Sequence, residues 1–255
     1  MTAKIFGMDT PVMETERLSF DWKFFYRAGG LAALLVVLVG LLDILIMFLP
    51  GTGTNPGART VVDWFKVLQD DPFLALRDMG LLNMITMSCS VMVFFALYGV
   101  HRRISPLAAS LTLILVCMGG AIYIANNTAL PMLTLSQHFA AATSESQRAL
   151  WASAGQALMA HEDLTAGAYP GFFFGEVAGA LMAVVALRGG IFQRWEAWLG
   201  IVATGCLLFF NLCAAFIPAL YDSVMPIFGA GGGLLSLVWY VMIARRLLIA
   251  RQQAG

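Results

Sequence analysis

Charged side chains are scarce in this chain of 255 residues, where Asp, Glu, Lys and Arg together make up only 12%. Ordinary soluble domains carry roughly one quarter charged residues, whereas 60% of this chain is apolar, so a water-soluble fold is not supported. The 15 basic and 15 acidic residues cancel to a net charge of zero, which leaves no positive field for nucleic acid. The composition predicts a membrane protein that does not bind nucleic acid.

Residues that usually hold metals, haem or retinal are few and poorly placed. The four cysteines lie in apolar runs without CxxC spacing, which argues against a metal site or a disulfide framework. None of the three lysines falls within an apolar run, so a retinal Schiff base has no partner. Of the histidines, His101 ends a run, whereas His138 and His161 lie in a loop, so an internal haem is not expected.

Sequence signatures of catalysis are also missing. The chain has no GxSxG elbow, no GxxxxGK(S/T) phosphate loop and no GxGxxG turn between a strand and a helix. His138 and the His161-Glu162-Asp163 run offer metal-binding atoms, but they lack HExxH or i, i+4 spacing. We therefore predict no metal site and no cofactor, and an enzyme is the less favoured class.

Six apolar stretches are long enough to cross a membrane, since a spanning helix needs about 20 residues. They cover residues 28–49, 76–100, 106–132, 167–187, 196–218 and 225–244. The predicted fold is all-α, an integral membrane bundle of six transmembrane helices. It divides the chain into an N-terminal segment (1–27), a six-span domain (28–249) and a C-terminal tail (250–255).

The basic residues predict the orientation of this bundle. Eleven of the fifteen precede the first span, join spans two to three and four to five, or follow the last span. Because Lys and Arg collect in cytoplasmic segments, both termini are expected in the cytoplasm. The first stretch is too long for the core of a signal peptide and lacks a small-residue cleavage site, so it is expected to be an uncleaved span.

Two long connections lie on the predicted outer side of the membrane. Residues 59–68 form a short amphipathic pattern that is typical of a helix in the headgroup layer. In the second connection, Leu150, Trp151, Ala154, Leu158 and Met159 follow helical spacing. We expect two short amphipathic outer-side helices and no separate soluble domain.

Polar residues within the spans recur at one depth. Asp43 lies seven residues before Pro50, and Asn211 lies seven residues before Pro218, which puts both about 10 Å below the outer helix ends. Five helices place a carboxylate or carboxamide at this level, and a tyrosine lies one turn away. The predicted ligand- or ion-binding residues are Asp43, Asn83, Tyr123, Asn126, Asn127, Glu176 and Asn211.

This shared depth favours a polar cavity that opens to the outer side. The alternative is that the side chains only bridge helices by hydrogen bonds, each giving on the order of 0.6 kcal/mol. Asp43 and Glu176 are the strongest functional candidates, because an ionisable group within lipid is costly unless it is paired, hydrated or protonated. Such a pair is compatible with a proton site, a cation site or the acid and base of an enzyme.

Small residues recur at every fourth position along the fourth span. This pattern lets two helix backbones approach closely. The predicted packing residues are Gly171, Gly175, Gly179 and Ala183. Glu176 lies about 100° around the helix from Gly175, so it can face a cavity while the glycine face packs.

Four segments together carry a resemblance to a known family. They are NPGARTVVDWFKVLQ (55–69), LRDMGLLNM (76–84), IYIANNTALPML (122–133) and GGGLLSLVWYVMIARRL (231–247). They resemble a family of bacterial multi-span membrane proteins that is defined only as a domain of unknown function, over residues 26–248. The resemblance implies a protein of the bacterial cytoplasmic (inner) membrane and transfers no active residues.

Three hypotheses of function follow. The first is binding or transport of a small polar ligand, a cation or a proton through the polar cavity. The second is a non-catalytic accessory subunit or assembly factor of a larger membrane complex, partnered by other membrane subunits or by further copies of the chain. The third is an intramembrane enzyme that acts on a lipid or quinone-like substrate.

Overall fold

A computed structural model of the protein describes residues 22–47, 60–162 and 168–253. Within these ranges the chain is helical and contains no strand, which confirms the all-α prediction. The helices are α1 (Trp22–Met47), α2 (Val61–Asp70), α3 (Pro72–Asp78), α4 (Leu81–His101), α5 (Pro106–Asn126), α6 (Ala129–Ala141), α7 (Glu145–Glu162), α8 (Ala168–Leu187), α9 (Arg194–Phe216), α10 (Tyr221–Val224) and α11 (Gly232–Gln253).

Six helical segments of the described residues are long and apolar enough to cross a membrane, as predicted. Five of them contain α1, α4, α8, α9 and α11, and the third runs from α5 into α6. The first begins at Trp22, six residues before the predicted start, and α11 ends at Gln253. The division of the chain at residues 27 and 249 stays a prediction.

The second span is shorter than the sequence indicated. The predicted span includes residues 76–80, but residues 76–78 belong to α3, and Met79 and Gly80 form a turn. Gly80 has a φ of +83°, a left-handed conformation that favours glycine. This turn ends α3 and sets the start of α4 at Leu81.

The third predicted span, 106–132, is divided in two. The backbone is extended at Asn127, and α6 begins at Ala129. The Asn127 side chain accepts a hydrogen bond from the backbone nitrogen of Ala129 at 3.1 Å. Asparagine often makes such a local bond in place of the helical one, so the apolar run alone does not show the break.

The sixth predicted span, 225–244, also has different limits. Residues Met225–Gly231 form a π-helix that contains Pro226. The regular helix α11 begins only at Gly232 and continues to Gln253. Proline lacks the backbone donor that a regular helix requires, which accounts for the irregular start.

The six long helices form a closed ring. In chain order, α1, α4, α5, α8, α9 and α11 each pack against the next, and α11 packs against α1. At the end where α4 ends and α9 begins, the interior is a dense apolar core that includes Leu97, Met182, Ile243 and Leu247. The other half of the ring contains the cavity described below.

The connecting helices α2, α3, α6 and α7 pack together and form what we call the helical cap. Its core includes Trp64, Phe65, Leu68 and Met132. Helices α2 and α7 are the two predicted amphipathic helices, whereas α3 and α6 were not predicted as separate helices. Leu150, assigned to the apolar face of α7, is instead 61% exposed, because Gly155 faces Val61 and Phe65 of α2.

Candidate functional site

A cavity of about 250 Å³ lies inside the ring of helices. All six long helices contribute to its walls, and we call it the central cavity. Its polar lining residues are Asn83, Thr86, Ser90, Glu176, Thr204, Ser236, Trp239 and Tyr240. Its apolar walls include Val36, Phe94, Val116, Phe172, Leu207 and Leu237. This volume accommodates several water molecules or a small organic molecule.

Glu176 of α8 is the one carboxylate among the described residues that line the cavity. Its side chain is buried, since the residue is only 9% exposed. The Asn211 side-chain nitrogen donates a hydrogen bond to Glu176 Oε1 at 2.5 Å. Within the described parts of the chain, Glu176 Oε2 has no hydrogen-bond partner. The site thus offers a buried acceptor that no described residue uses.

The glycines of α8 show where this helix packs against its neighbours and where it borders the cavity. A Cβ on Gly171 would lie 2.7 Å from Tyr123 Cβ, and one on Gly179 would lie 2.7 Å from Thr204 Cγ2. These two glycines therefore allow close packing against α5 and α9. Gly175 differs, because a Cβ there would meet no atom within 4 Å, and Gly175 lines the cavity. Ala183 is fully buried in the apolar core.

Some of the hydroxyl groups that line the cavity already make hydrogen bonds within the protein. Ser90 Oγ and Tyr240 Oη are 2.9 Å apart and join α4 to α11. Thr204 Oγ1 donates to the carbonyl of Gly200 in its own helix at 2.7 Å. The Trp239 indole packs against Gly200, where a Cβ would lie 2.5 Å from the ring. Ser90, Tyr240 and Trp239 were not predicted as site residues.

Asp43 is paired with a residue of the helical cap. Arg77 Nε donates to Asp43 Oδ1 at 2.7 Å, and Arg77 Nη2 donates to the Asp43 carbonyl at 2.7 Å. Arg77 Nη1 also donates to Asp78 at 2.7 Å. Burial works to lower the pKa of Arg77, but the bonds to Asp78 and Asp43 and their charges outweigh it and raise the pKa above its usual value.

Three further predicted residues lie around the turn between α3 and α4. The Asn127 side chain donates to the Met79 carbonyl at 2.9 Å, and Tyr123 Oη donates to the Gly80 carbonyl at 3.4 Å. Asn126 donates to the Ile122 carbonyl of its own helix at 2.8 Å. The contacts of Asn127 and Tyr123 hold the turn before α4 against the end of α5.

The predicted polar layer is therefore divided into three places. Asn83, Glu176 and Asn211 lie at or beside the central cavity, Asp43 lies at the cap, and the α5 residues lie at the turn. Arg77 is not among the predicted site residues, because its partner Asp43 is 34 residues away in the sequence. The binding roles of all these residues stay predictions.

A second buried carboxylate lies at the opposite end of the ring. Glu196, near the start of α9, is 1% exposed and accepts two hydrogen bonds from Arg246 at 2.9 Å, one from Nε and one from Nη2. The backbone nitrogen of Gln193 donates to Glu196 Oε2 at 2.8 Å. This charge is fully paired within the protein.

The donor set does not resemble a metal centre. Within the described residues, no three His, Cys, Asp or Glu side chains come together in a way that could hold a metal ion. The cavity instead combines one carboxylate with amide and hydroxyl groups and with aromatic walls. Such a lining suits a small molecule or a single charge.

The fold and site define a multi-span integral membrane protein whose ring of helices surrounds a partly polar cavity. Residues 70–248 match the family model described as a domain of unknown function (DUF4386), and the chain belongs to this family. This finding confirms the resemblance noted in the sequence, although the match begins after the first span. No curated protein and no solved structure matches the chain.

Proposed function

We propose that this protein binds a small polar ligand, a cation or a proton in the central cavity and acts as a binding or transport-type membrane protein. One observation carries the proposal. Glu176 is a buried carboxylate beside an open space, and one of its oxygens has no partner among the described residues. A carboxylate at membrane depth is costly unless something pairs with it, hydrates it or protonates it, and a ligand in the cavity would do so.

In this proposal Glu176 provides the charge, whereas Asn83 and Asn211 orient the ligand through hydrogen bonds. Asn211 already restrains Glu176 Oε1, which leaves Oε2 for the ligand. Asp43 and Arg77 connect α1 to the helical cap and act as a structural pair beside the cavity half of the ring. The Asn126, Asn127 and Tyr123 contacts support the same end of the bundle.

The proposal includes an orientation. If both termini are cytoplasmic, as the distribution of basic residues predicts, the cap and the cavity half of the ring belong to the outer side. The ligand then enters from outside the cell. The family resemblance favours the bacterial cytoplasmic membrane as the location.

Thermal unfolding of the purified protein in detergent tests the proposal. Wild type and Glu176→Gln are scanned across the acidic and neutral pH range, with and without sodium or calcium chloride. We expect a response to pH or to a cation that is lost in Glu176→Gln. The matched control is Glu145→Gln, the same chemical change at a side chain that is 93% exposed on α7. Identical curves for all three proteins would contradict a titrating or inorganic-cation site at Glu176.

The accessory-subunit and enzyme hypotheses stay predictions. Co-purification from native membranes in mild detergent tests the first, and a product formed by the purified protein but not by Glu176→Gln tests the second.

A further inference from the structure

We infer that the ligand of the central cavity is a small organic cation that carries one ammonium group on an apolar body. This inference rests on the proposed function and names the class of molecule that the same site would take. It is argued from the charges, the ligating atoms and the walls of the cavity.

The balance of charge around the cavity favours a cation. Among the described residues that line it there is one carboxylate, Glu176, and no Lys, Arg or His. Arg77, at the cap end of the ring, is bonded to Asp43 and Asp78, and Arg246, at the opposite end, is bonded to Glu196. A buried charge is stabilised by a partner of opposite sign. A monocation would therefore neutralise the site.

The number of ligating groups argues against a metal ion. Calcium takes six to eight oxygen ligands, and magnesium requires near-octahedral coordination. The cavity supplies a single carboxylate, and no cluster of metal-ligating side chains occurs within the described residues. An ammonium group needs fewer ligands than these metal ions, since each of its three N–H donors requires one acceptor. Glu176 Oε2 provides one acceptor, and the side-chain oxygens of Asn83 and Ser236 are further candidates in the lining.

The walls indicate what the rest of the ligand is like. Phe94, Phe172, Trp239 and Tyr240 all line the cavity. Aromatic faces attract organic cations, and the same rings and the aliphatic side chains beside them favour an apolar body. Gly175 leaves open space immediately next to Glu176. A cavity of about 250 Å³ suits a compact molecule such as a ring that bears a short aminoalkyl chain.

A matched pair of probes tests this inference on the full-length protein in detergent. Benzylamine is a cation at neutral pH, whereas benzyl alcohol has nearly the same shape without the charge. Binding of each is measured by isothermal titration calorimetry and by the shift of the unfolding temperature. We expect saturable binding of benzylamine and at least tenfold weaker binding of benzyl alcohol. Glu176→Gln should weaken benzylamine binding by about tenfold or more, because a buried charge pair is lost.

Two further variants keep the test decisive. Glu176→Asp retains the charge and should bind benzylamine better than Glu176→Gln does. The exposed control Glu145→Gln should bind like wild type. The comparison of the two compounds on wild type does not depend on how any variant folds.

Equal binding of the amine and the alcohol, unaffected by Glu176→Gln, would overturn the inference, because the site would then recognise shape alone. Binding of sodium or calcium that depends on Glu176, with no binding of benzylamine, would overturn the inference and leave the proposed function standing. If no probe and no pH change gives a response that depends on Glu176, both the inference and the proposed function fail.

Discussion

Glu176 and Glu196 lie on neighbouring helices of the ring, and both are buried, but their surroundings are opposite. Glu196 accepts bonds from the Arg246 guanidinium and from a backbone nitrogen, so both of its oxygens are occupied. Glu176 accepts one bond from a neutral amide and borders a cavity. The first carboxylate is part of the packed end of the ring, whereas the second keeps an acceptor available. Burial alone therefore does not distinguish the two carboxylates; their hydrogen-bond partners do.

The largest expected effect comes from removing the partner of Glu196. Arg246→Met leaves a buried carboxylate without its cation, which should lower the free energy of unfolding by about 3 kcal/mol. Chemical or thermal unfolding in detergent measures this loss. Adding Glu196→Gln to Arg246→Met removes the stranded charge and should restore part of the stability. If Arg246→Met is as stable as wild type, the pair of Arg246 and Glu196 contributes nothing to the stability of the packed end.

A smaller loss of stability is expected when a glycine of α8 is replaced by alanine, and its size should depend on the position. Gly171→Ala places a methyl group 2.7 Å from Tyr123 Cβ, and such overpacking should cost about 2 kcal/mol. Gly175→Ala meets no atom within 4 Å, so its effect should stay within about 1 kcal/mol. Both variants make the same chemical change, one turn apart, and unfolding curves compare them directly. Equal losses would mean that α8 does not face the cavity at Gly175.

The smallest effect on stability is expected for Glu176→Gln, the counterpart of the Arg246 variant. No cation loses its partner, and glutamine still accepts the bond from Asn211, so the free energy of unfolding should change by less than about 1 kcal/mol. This variant should instead affect ligand binding. A loss as large as that of Arg246→Met would mean that Glu176 is as structural as Glu196, and the contrast between the two ends would disappear.

The sequence predicted the six spans well, because each apolar run of about 20 residues carries its own signal. It did not predict the start of α4 after Gly80 or the end of α5 before Asn127, where one residue changes the backbone direction inside an apolar run. Hydropathy does not contain that information, because it averages over a window of residues.

The candidate site was predicted only in part, for a different reason. Sequence gives the depth of a side chain in the membrane, whereas its direction depends on how helices pack. The sequence predicts Asp43 and Glu176 at one depth, but Asp43 is bonded to Arg77, 34 residues away in the sequence. Likewise, Arg246 is one of many basic residues in the sequence, and its partner Glu196 lies 50 residues away in the chain, on α9. Such pairings follow from the assembled ring and not from local pattern.

The order of helices around the ring has a consequence for how the protein is made. Each long helix packs against the one that precedes it in the chain, so most helix contacts can form in turn as synthesis proceeds, and such local contacts form quickly. The seam between α1 and α11 is the exception, since α1 is synthesised first and its partner last. At this seam Gly30 faces Leu248, and Gly40 faces Leu237. The central cavity therefore has no complete wall until α11 has entered the membrane and closed the ring.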